Sequence, residues 1–271
     1  MLKDIAFGQY YPVSSFLHRA DPRMKLLSLV AFIVAIFLAS NFYGIGLCIL
    51  GFALALAASR VPVRKVFRSV KGILFLLVFT AIIQLFFYKG ETVLFSWWKI
   101  VVTKEALFYT LFLILRLVLL VTVASLLTFT TTPVSLTDGL ESLLYPLKLI
   151  RFPVHELALI MSIALRFIPT LIEETERIMN AQKARGAEFE RGSLFSRAKA
   201  VIPVLIPLLI SAFRRAEELG DAMDARCYAG SKVRTKYKKM SFGWRDLVIF
   251  LVMAGLIAGV VLVKQLPGMV F

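Results

Sequence analysis

The chain has 271 residues, of which 59% are hydrophobic and 18% are charged, and its mean hydropathy is +0.81. This composition is too apolar for a soluble domain, and it favours a helical membrane protein over a β-barrel, which has weak alternating segments instead of long apolar runs. The net charge of +15 favours contact with anionic membrane lipids. No basic-aromatic groove pattern supports nucleic-acid binding. The two cysteines, Cys48 in an apolar run and Cys227 in a basic segment, do not predict a disulfide framework.

The N-terminal part of the chain predicts a polar arm followed by a transmembrane hairpin. Residues 1–22 have no apolar core, so we expect no signal peptide there. Asp21 suits the N-cap of a helix and the following proline suits its first turn. We therefore interpret Asp21 and Arg23 mainly as the start of a helix. A structural or coupling site at these residues is the second interpretation. Two apolar runs, 24–39 and 45–58, form the predicted hairpin.

The middle of the chain predicts two more membrane spans. A basic segment without acids, 60–71, precedes the third span at about 70–88, and the positive-inside bias places this segment in the cytoplasm. The less basic residues 89–105 are predicted to form an outside loop. The fourth span, about 106–129, contains Arg116. We expect its side chain to have a structural role, by snorkelling or by bonding to a carbonyl.

Residues 130–242 predict a long helical region on the cytoplasmic side. Two apolar stretches, 157–172 and 201–213, are short and contain prolines. If both crossed the membrane, the basic residues between them would lie outside, against the positive-inside bias. We therefore expect this region to lie against the membrane or partly in it. Arg166 and Pro169 are predicted to mark a kink between its embedded and cytoplasmic portions.

The last span is predicted at about 246–263, after a basic cluster at 232–239. The predicted fold is therefore an all-α polytopic membrane protein with about five transmembrane helices and a long coupling-helix region on the cytoplasmic side. The N-terminus is predicted to be cytoplasmic, and seven spans are the alternative. The predicted domains are an arm with four spans (1–129), a coupling-helix domain (130–242) and a C-terminal span (243–271).

Two similar helix ends occur 41 residues apart in the coupling-helix domain. The matched pairs are Glu176 and Glu217, Ile178 and Leu219, Ala181 and Ala222, Ala184 and Ala225, and Arg185 and Arg226. Helix capping explains one copy, because arginine near a helix C-terminus and glycine after it are both favoured. Two matched copies make a second explanation equally strong. In that explanation each tip enters a partner's groove, where its guanidinium group pairs with carboxylates or carbonyls.

The sequence does not predict catalysis by this chain. It has no P-loop pattern for binding ATP, and it shows no convergent set of acid, base and nucleophile. His18 and His155 are isolated, which gives no support to a metal site. Two other functions are the alternatives. A membrane enzyme acting on lipid headgroups would need clustered catalytic groups, and a self-contained permease subunit would need more polar lining than Gln84 and Arg116 provide.

Six short segments carry a family resemblance through their order and spacing. They are 17–27 (LHRADPRMKLL), 115–117 (LRL), 130–133 (TTTP), 165–169 (LRFIP), 184–186 (ARG) and 222–228 (AMDARCY). In these segments the chain resembles the transmembrane T component of energy-coupling factor (ECF) transporters, the EcfT or CbiQ-like family. The resemblance covers nearly the whole chain.

The resemblance implies a non-catalytic subunit of an ATP-driven importer for vitamins or other micronutrients in the cell membrane of a bacterium or archaeon. It implies two partner ABC-type ATPase subunits that bind ATP and Mg, a membrane S component that binds the substrate, and no cofactor on this chain. It also implies ATPase docking through two tips, Ala184, Arg185 and Gly186 in one and Ala225, Arg226 and Cys227 in the other. Cys227 stands where the family pattern has glycine, so a left-handed backbone there would cost more free energy than glycine would.

Overall fold

The computed structural model describes residues 10–87, 92–97, 100–150, 152–187, 189, 193–228, 230 and 242–265. They are mostly helical. The helices are α1 (Pro22–Leu38), α2 (Phe42–Ser59), α3 (Val63–Val70), α4 (Leu74–Phe87), α5 (Lys104–Thr130), α6 (Pro133–Leu144), α7 (Val154–Ala184), α8 (Leu194–Ala225) and α9 (Trp244–Gln265). Turns of 3₁₀-helix at Lys71–Ile73 and Tyr145–Ile150 complete the helical part. The basic cluster at 232–239 lies outside the described residues.

Five of the described helical segments are long and apolar enough to cross a membrane. They are Phe42–Ser59, Val63–Phe87, Lys104–Thr130, Val154–Ala184 and Trp244–Gln265. The polytopic helical fold is therefore confirmed, and four of these segments match predicted spans. The first predicted span forms α1, whose 17 residues make a helix about 26 Å long, slightly shorter than a typical span. The fifth segment is α7, which we expected to be too short to cross.

Both apolar stretches of the coupling region are longer as helices than the sequence indicated. α7 continues through Pro169 for 31 residues, and α8 continues through Pro203 and Pro207 for 32 residues. A proline inside a helix removes one backbone hydrogen bond but does not always end the helix, because neighbouring turns keep theirs. Length and composition therefore make α7 a candidate span, although its second half is strongly charged.

A short β-hairpin replaces the loop that we expected at 89–105. β1 (Val93–Trp97) pairs antiparallel with β2 (Ile100–Thr103), with an irregularity between Val93 and Phe95. Most residues of both strands are β-branched or aromatic, and such residues favour extended backbone. Most of the basic segment at 60–71 forms α3, with Pro62 at its N-cap.

The chain folds into two units. The helical-core unit comprises Gly8–Leu143 and Met240–Phe271, and the α7–α8 unit comprises Leu144–Lys239. In the helical-core unit, α1 and α2 pack against α5 and α9 around a buried apolar cluster that includes Ile36, Cys48 and Leu256. Gly51 allows close approach of α2 and α9, because a Cβ there would lie 2.2 Å from a methyl group of Leu256.

Candidate functional site

The first predicted tip is a complete helix-ending motif. α7 ends at Ala184, and Gly186 adopts a left-handed conformation with φ of 89°. The Gly186 N–H donates to the Lys183 carbonyl at 3.0 Å, and the Ala187 N–H donates to the Gln182 carbonyl at 3.0 Å. These two hydrogen bonds define a Schellman motif, which satisfies the last carbonyl groups of the helix. The motif leaves Arg185 exposed at the C-cap.

The second tip has the same motif at equivalent positions. α8 ends at Ala225, and Cys227 has a φ of 56° in the position that corresponds to Gly186. The Cys227 N–H donates to the Asp224 carbonyl at 2.9 Å, and the Tyr228 N–H donates to the Met223 carbonyl at 3.1 Å. The sequence repeat is therefore also a repeat of local backbone structure. Cysteine adopts the left-handed conformation that glycine adopts in the first copy.

Both tips expose small side chains beside an arginine. All six residues that we assigned to the tips are exposed: Ala184, Arg185, Gly186, Ala225, Arg226 and Cys227. A guanidinium group next to residues without bulky side chains can approach a partner's backbone and form two parallel hydrogen bonds to a carboxylate. The geometry suits insertion into a groove, and ATPase docking by these residues stays a prediction.

An ion pair joins the two helices at equivalent positions of the repeat. Nη2 of Arg215 lies 3.3 Å from Oε2 of Glu174, and the two residues are 41 positions apart, which is the offset of the repeat. Glu174 precedes Arg185 by 11 residues, as Arg215 precedes Arg226. Each tip therefore lies about 16 Å along its helix from this contact, at 1.5 Å per residue. Sequence reasoning missed this pair, although opposite charges at equivalent positions of a repeat were a usable signal.

The other two candidates in α7 lie on its exposed surface. Arg166 and Pro169 are both exposed, and the helix runs through them as one element. Pro169 lacks the N–H that would bond to the carbonyl of Leu165, so the helix has one fewer hydrogen bond there. The predicted role of Arg166 and Pro169 in a kink stays a prediction.

Arg116 lies among backbone and aromatic partners in the helical-core unit. Its Nη2 donates to the carbonyl oxygen of Ala39 at 2.8 Å. Its guanidinium carbon lies 4.8 Å from the centre of the Phe112 ring and 5.7 Å from that of Phe37. Ala39 is the C-cap of α1, so the cation also faces the negative end of that helix dipole. These contacts are of the kind expected for a charge with a structural role in a membrane span.

The start of α1 is confirmed as a capped helix and has a second partner that we did not predict. Asp21 is the N-cap, and its carboxylate accepts from the N–H of Arg23 at 2.9 Å. The Asp21 N–H itself donates to the carboxylate of Asp246 at 2.8 Å. Asp246 also accepts from the N–H of Gly243 at 2.8 Å. An acid three residues after Gly243, at the start of an apolar run, is a capping pattern that could have revealed this role.

A buried lysine connects two of the segments that carry the family resemblance. Lys25 is only 5% exposed. Its ammonium group donates to the carbonyls of His18 and Thr130, at 3.3 and 3.1 Å, and to Oγ1 of Thr131 at 3.3 Å. A buried ammonium group needs such acceptors because desolvation is costly. The fold therefore joins 17–27 and 130–133, which are remote in sequence. Arg23, in the first of these segments, has its guanidinium carbon 5.9 Å from the centre of the Phe242 ring.

We expect Cys227→Gly to stabilise the end of α8 by about 1 kcal/mol, because glycine adopts the left-handed conformation without the steric cost of a Cβ. Gly186→Ala is expected to weaken the end of α7 by a similar amount. A Cβ there would meet no atom within 4 Å, so only the backbone conformation resists it. Hydrogen exchange measures both effects. The Tyr228 amide should exchange about fivefold more slowly in Cys227→Gly, and the Ala187 amide about fivefold faster in Gly186→Ala.

Gly220→Ala is the matched control for Gly186→Ala, because it makes the same exchange inside α8. A Cβ at Gly220 also meets no atom within 4 Å, and its backbone is helical, so this change should stabilise the helix. If Gly186→Ala and Gly220→Ala had effects of the same sign, the left-handed conformation would not explain the tips.

Comparisons with known proteins show which family the chain resembles over most of its length. The sequence model of the CbiQ family, described as cobalt transport protein, matches residues 13–237. The energy-coupling factor transporter transmembrane protein EcfT of Brevibacillus brevis is 51% identical over 253 residues, which are 93% of this chain and 95% of that protein. The EcfT proteins of Ruminiclostridium cellulolyticum and Heliobacterium modesticaldum are 49% and 44% identical over 249 and 265 residues. These matches cover 92% and 98% of this chain and 93% and 99% of the relatives.

A family match over most of the chain and identities above 40% at nearly full length exceed what a shared helical composition produces. The chain belongs to the EcfT/CbiQ family and is the transmembrane component of an energy-coupling factor transporter.

Proposed function

We propose that this chain couples two ABC-type ATPase subunits to a substrate-binding membrane S component. One observation carries the proposal: two exposed arginine tips with the same Schellman motif stand the same number of residues beyond the Glu174–Arg215 contact. Capping alone explains why each helix ends where it does. It does not explain why both copies keep an exposed arginine next to small residues at matched distances from that contact.

Two equivalent tips suit two similar partners. Each ATPase subunit receives one tip in a groove, where Arg185 or Arg226 pairs with carboxylates or carbonyl groups. Ala184 and Ala225 let the helix ends approach the groove closely. ATP and Mg bind to the partner subunits, which hydrolyse the nucleotide, and this chain supplies no cofactor site.

The contact between α7 and α8 transmits movement between the tips. α7 and α8 pack against each other, so a displacement of one tip acts on the other helix through that interface. Closure of the ATPase pair therefore changes the arrangement of both helices together. This chain is a non-catalytic coupling subunit of the transporter, and the S component determines which vitamin or other micronutrient is transported.

The S component docks on an apolar face of α8. This face consists of large side chains that are at least 41% exposed in the chain alone: Val201, Ile202, Leu205, Ile206, Leu209, Ile210 and Phe213. Contiguous apolar surface of this size usually marks a contact with a partner or a membrane. A membrane-embedded S component offers a complementary apolar surface.

Photocrosslinking tests the docking of the tips. We expect a benzophenone amino acid at position 184 or 225 to crosslink to the ATPase subunits in the assembled transporter. The matched control positions are Glu173 and Arg214, which are exposed on the same helices and lie 11 residues before each alanine. Crosslinks from 173 and 214 but not from 184 and 225 would contradict docking through the tips.

The proposed location is the cell membrane, with the N-terminus and the coupling region in the cytoplasm. Cys227 is exposed and Cys48 is buried, so a membrane-impermeant maleimide should react only with Cys227. With the chain expressed without its ATPase partners, we expect labelling in inverted vesicles and none in right-side-out vesicles. Thr92 is exposed, in the segment predicted to lie outside. The variant Thr92→Cys/Cys227→Ser should therefore be labelled in right-side-out vesicles and not in inverted vesicles. Labelling of Cys227 from outside would reverse the proposed orientation.

A further inference from the structure

Two adjoining cavities in the helical-core unit differ sharply in polarity. The apolar cavity, about 350 Å³, lies among α1, α2, α5 and α9. The arginine cleft, about 540 Å³, is lined by residues of the N-terminal arm, the end of α2 and the start of α9. Phe16 and Ala58 line both. The two cavities are therefore neighbours, one polar and one apolar, that share these two side chains as a common border.

Among the residues that the structure describes, the lining of the apolar cavity has no polar group left without a hydrogen-bond partner. Its polar members in that part of the chain are Lys25, Ser28 and Thr130. The Lys25 ammonium group already has three oxygen acceptors, and the hydroxyl groups of Ser28 and Thr130 donate to backbone carbonyls at 2.8 and 2.9 Å. An apolar occupant suits these walls, because a polar one would lose its own hydrogen bonds on entering.

The described lining of the arginine cleft is positively charged. Arg19, Arg60 and Arg245 line the cleft, and none of the described residues of its lining is Asp or Glu. Within the described part of the chain, no ion pair involves these three arginines. Ser14 adds a hydroxyl group, whereas the Ser15 hydroxyl is already bonded to Nδ1 of His18 at 2.7 Å. Three guanidinium groups and one hydroxyl group match the charge and the hydrogen-bonding capacity of a phosphate group.

Along α9 the arginine cleft lies at the helix end and the apolar cavity lies deeper. Trp244 and Arg245, at the start of α9, line the cleft, and residues from Val248 to Leu256 line the apolar cavity. That distance is about 12 Å along the helix, close to the depth of one leaflet's hydrocarbon layer. The Trp244 ring packs on Phe16, with centres 5.4 Å apart, as tryptophan does at a membrane interface.

We propose that this composite site binds an anionic phospholipid, with its phosphate group between Arg19, Arg60 and Arg245 and one acyl chain in the apolar cavity. A free anion would use only the cleft, and an apolar partner helix would use only the cavity. A lipid uses both at once, with its headgroup at the helix ends and its chain toward the membrane centre. Basic pockets between transmembrane helices recognise acidic headgroups in this way.

Native mass spectrometry tests the proposal by measuring how much lipid the full chain retains after incubation with phosphatidylglycerol or with phosphatidylcholine. We expect phosphatidylglycerol to be retained in preference to phosphatidylcholine. The variant Arg19→Gln/Arg60→Gln/Arg245→Gln should lose phosphatidylglycerol, by about fivefold for each arginine removed. If the triple variant does not fold, Arg19→Gln/Arg60→Gln serves the same purpose, because both side chains are exposed.

The matched control is Arg64→Gln/Arg68→Gln/Lys71→Gln. It also removes three exposed positive charges, but from α3 and the 3₁₀ turn after it, outside the cleft. It should retain phosphatidylglycerol within about twofold of the unchanged chain, since these charges lie outside the cleft. Equal losses in the control and the cleft variant, or equal retention of the two lipids by the unchanged chain, would overturn the proposal.

A second variant distinguishes a lipid from a free anion. Ala55 lines the apolar cavity but not the cleft, so Ala55→Phe fills part of the chain-binding compartment and leaves the arginines in place. We expect this variant to lose phosphatidylglycerol by about tenfold, because a filled cavity excludes the acyl chain. Unchanged retention, or displacement of the lipid by millimolar inorganic phosphate, would show that the cleft binds phosphate alone and would overturn the proposal.

Discussion

Arg185→Glu combined with Arg226→Glu is expected to abolish recovery of the ATPase subunits with this chain, while the chain itself stays in the membrane. Losing one partner of a desolvated charge pair costs about 2–5 kcal/mol, so two losses weaken binding by about a thousandfold or more. The new carboxylates would also repel any carboxylates in the receiving grooves. Co-purification from detergent-solubilised membranes measures the effect.

The matched control is Arg177→Glu combined with Arg214→Glu. Both arginines are on α7 and α8, so this pair makes the same change in net charge away from the tips. We expect normal recovery of the ATPase subunits with this control. Arg185→Glu alone or Arg226→Glu alone should give intermediate recovery of the ATPase subunits, because the other tip still docks. Full recovery of the ATPase subunits with Arg185→Glu/Arg226→Glu would contradict the docking role of both arginines.

Asp246→Ala is expected to lower the free energy of unfolding of the helical-core unit by about 3 kcal/mol. Asp246 is 4% exposed, and its carboxylate accepts from the N–H groups of Asp21 and Gly243. Each buried N–H left without an acceptor costs about 1–3 kcal/mol. A loss of this size lowers the melting temperature by roughly 10 °C, which a thermal unfolding scan of the purified chain measures.

Asp138→Ala is the control for Asp246→Ala. Asp138 is exposed on α6, within the same unit, so its removal should change the free energy of unfolding by less than about 0.5 kcal/mol. Asp246→Asn should give an intermediate loss, because one amide oxygen replaces two acceptor oxygens. A melting temperature that is unchanged in Asp246→Ala would show that the two backbone groups find other partners.

The features predicted correctly depend on short-range patterns. Long apolar runs indicated the spans that became α2, α4, α5 and α9, and their ends agree with the helices to within four residues. The cap at Asp21 depends on a residue type and a proline beside it, both of which are visible in the sequence. The same holds for the two helix ends, because a Schellman motif involves only six consecutive residues.

The features that sequence analysis missed depend on competition between local and distant contacts. The prolines in α7 and α8 indicated short helices, but the surrounding turns continue the helix through them. The hairpin at β1 and β2 was hidden because a loop and a short strand pair have similar composition. Lys25 was assigned to an apolar run, and its acceptors include groups more than 100 residues away.

By itself, the sequence determined that this is a helical membrane protein with a repeated arginine tip. That conclusion follows from composition, periodicity and local spacing, whereas the family follows from the resemblance of the motifs and from the match to known relatives. Only the tertiary structure decided which equivalent residues of α7 and α8 meet, that Asp246 holds the start of α1, and that three distant arginines line one cleft beside an apolar cavity. Such contacts depend on how helices pack against each other, and helix-by-helix patterns do not specify the partner that each side chain meets.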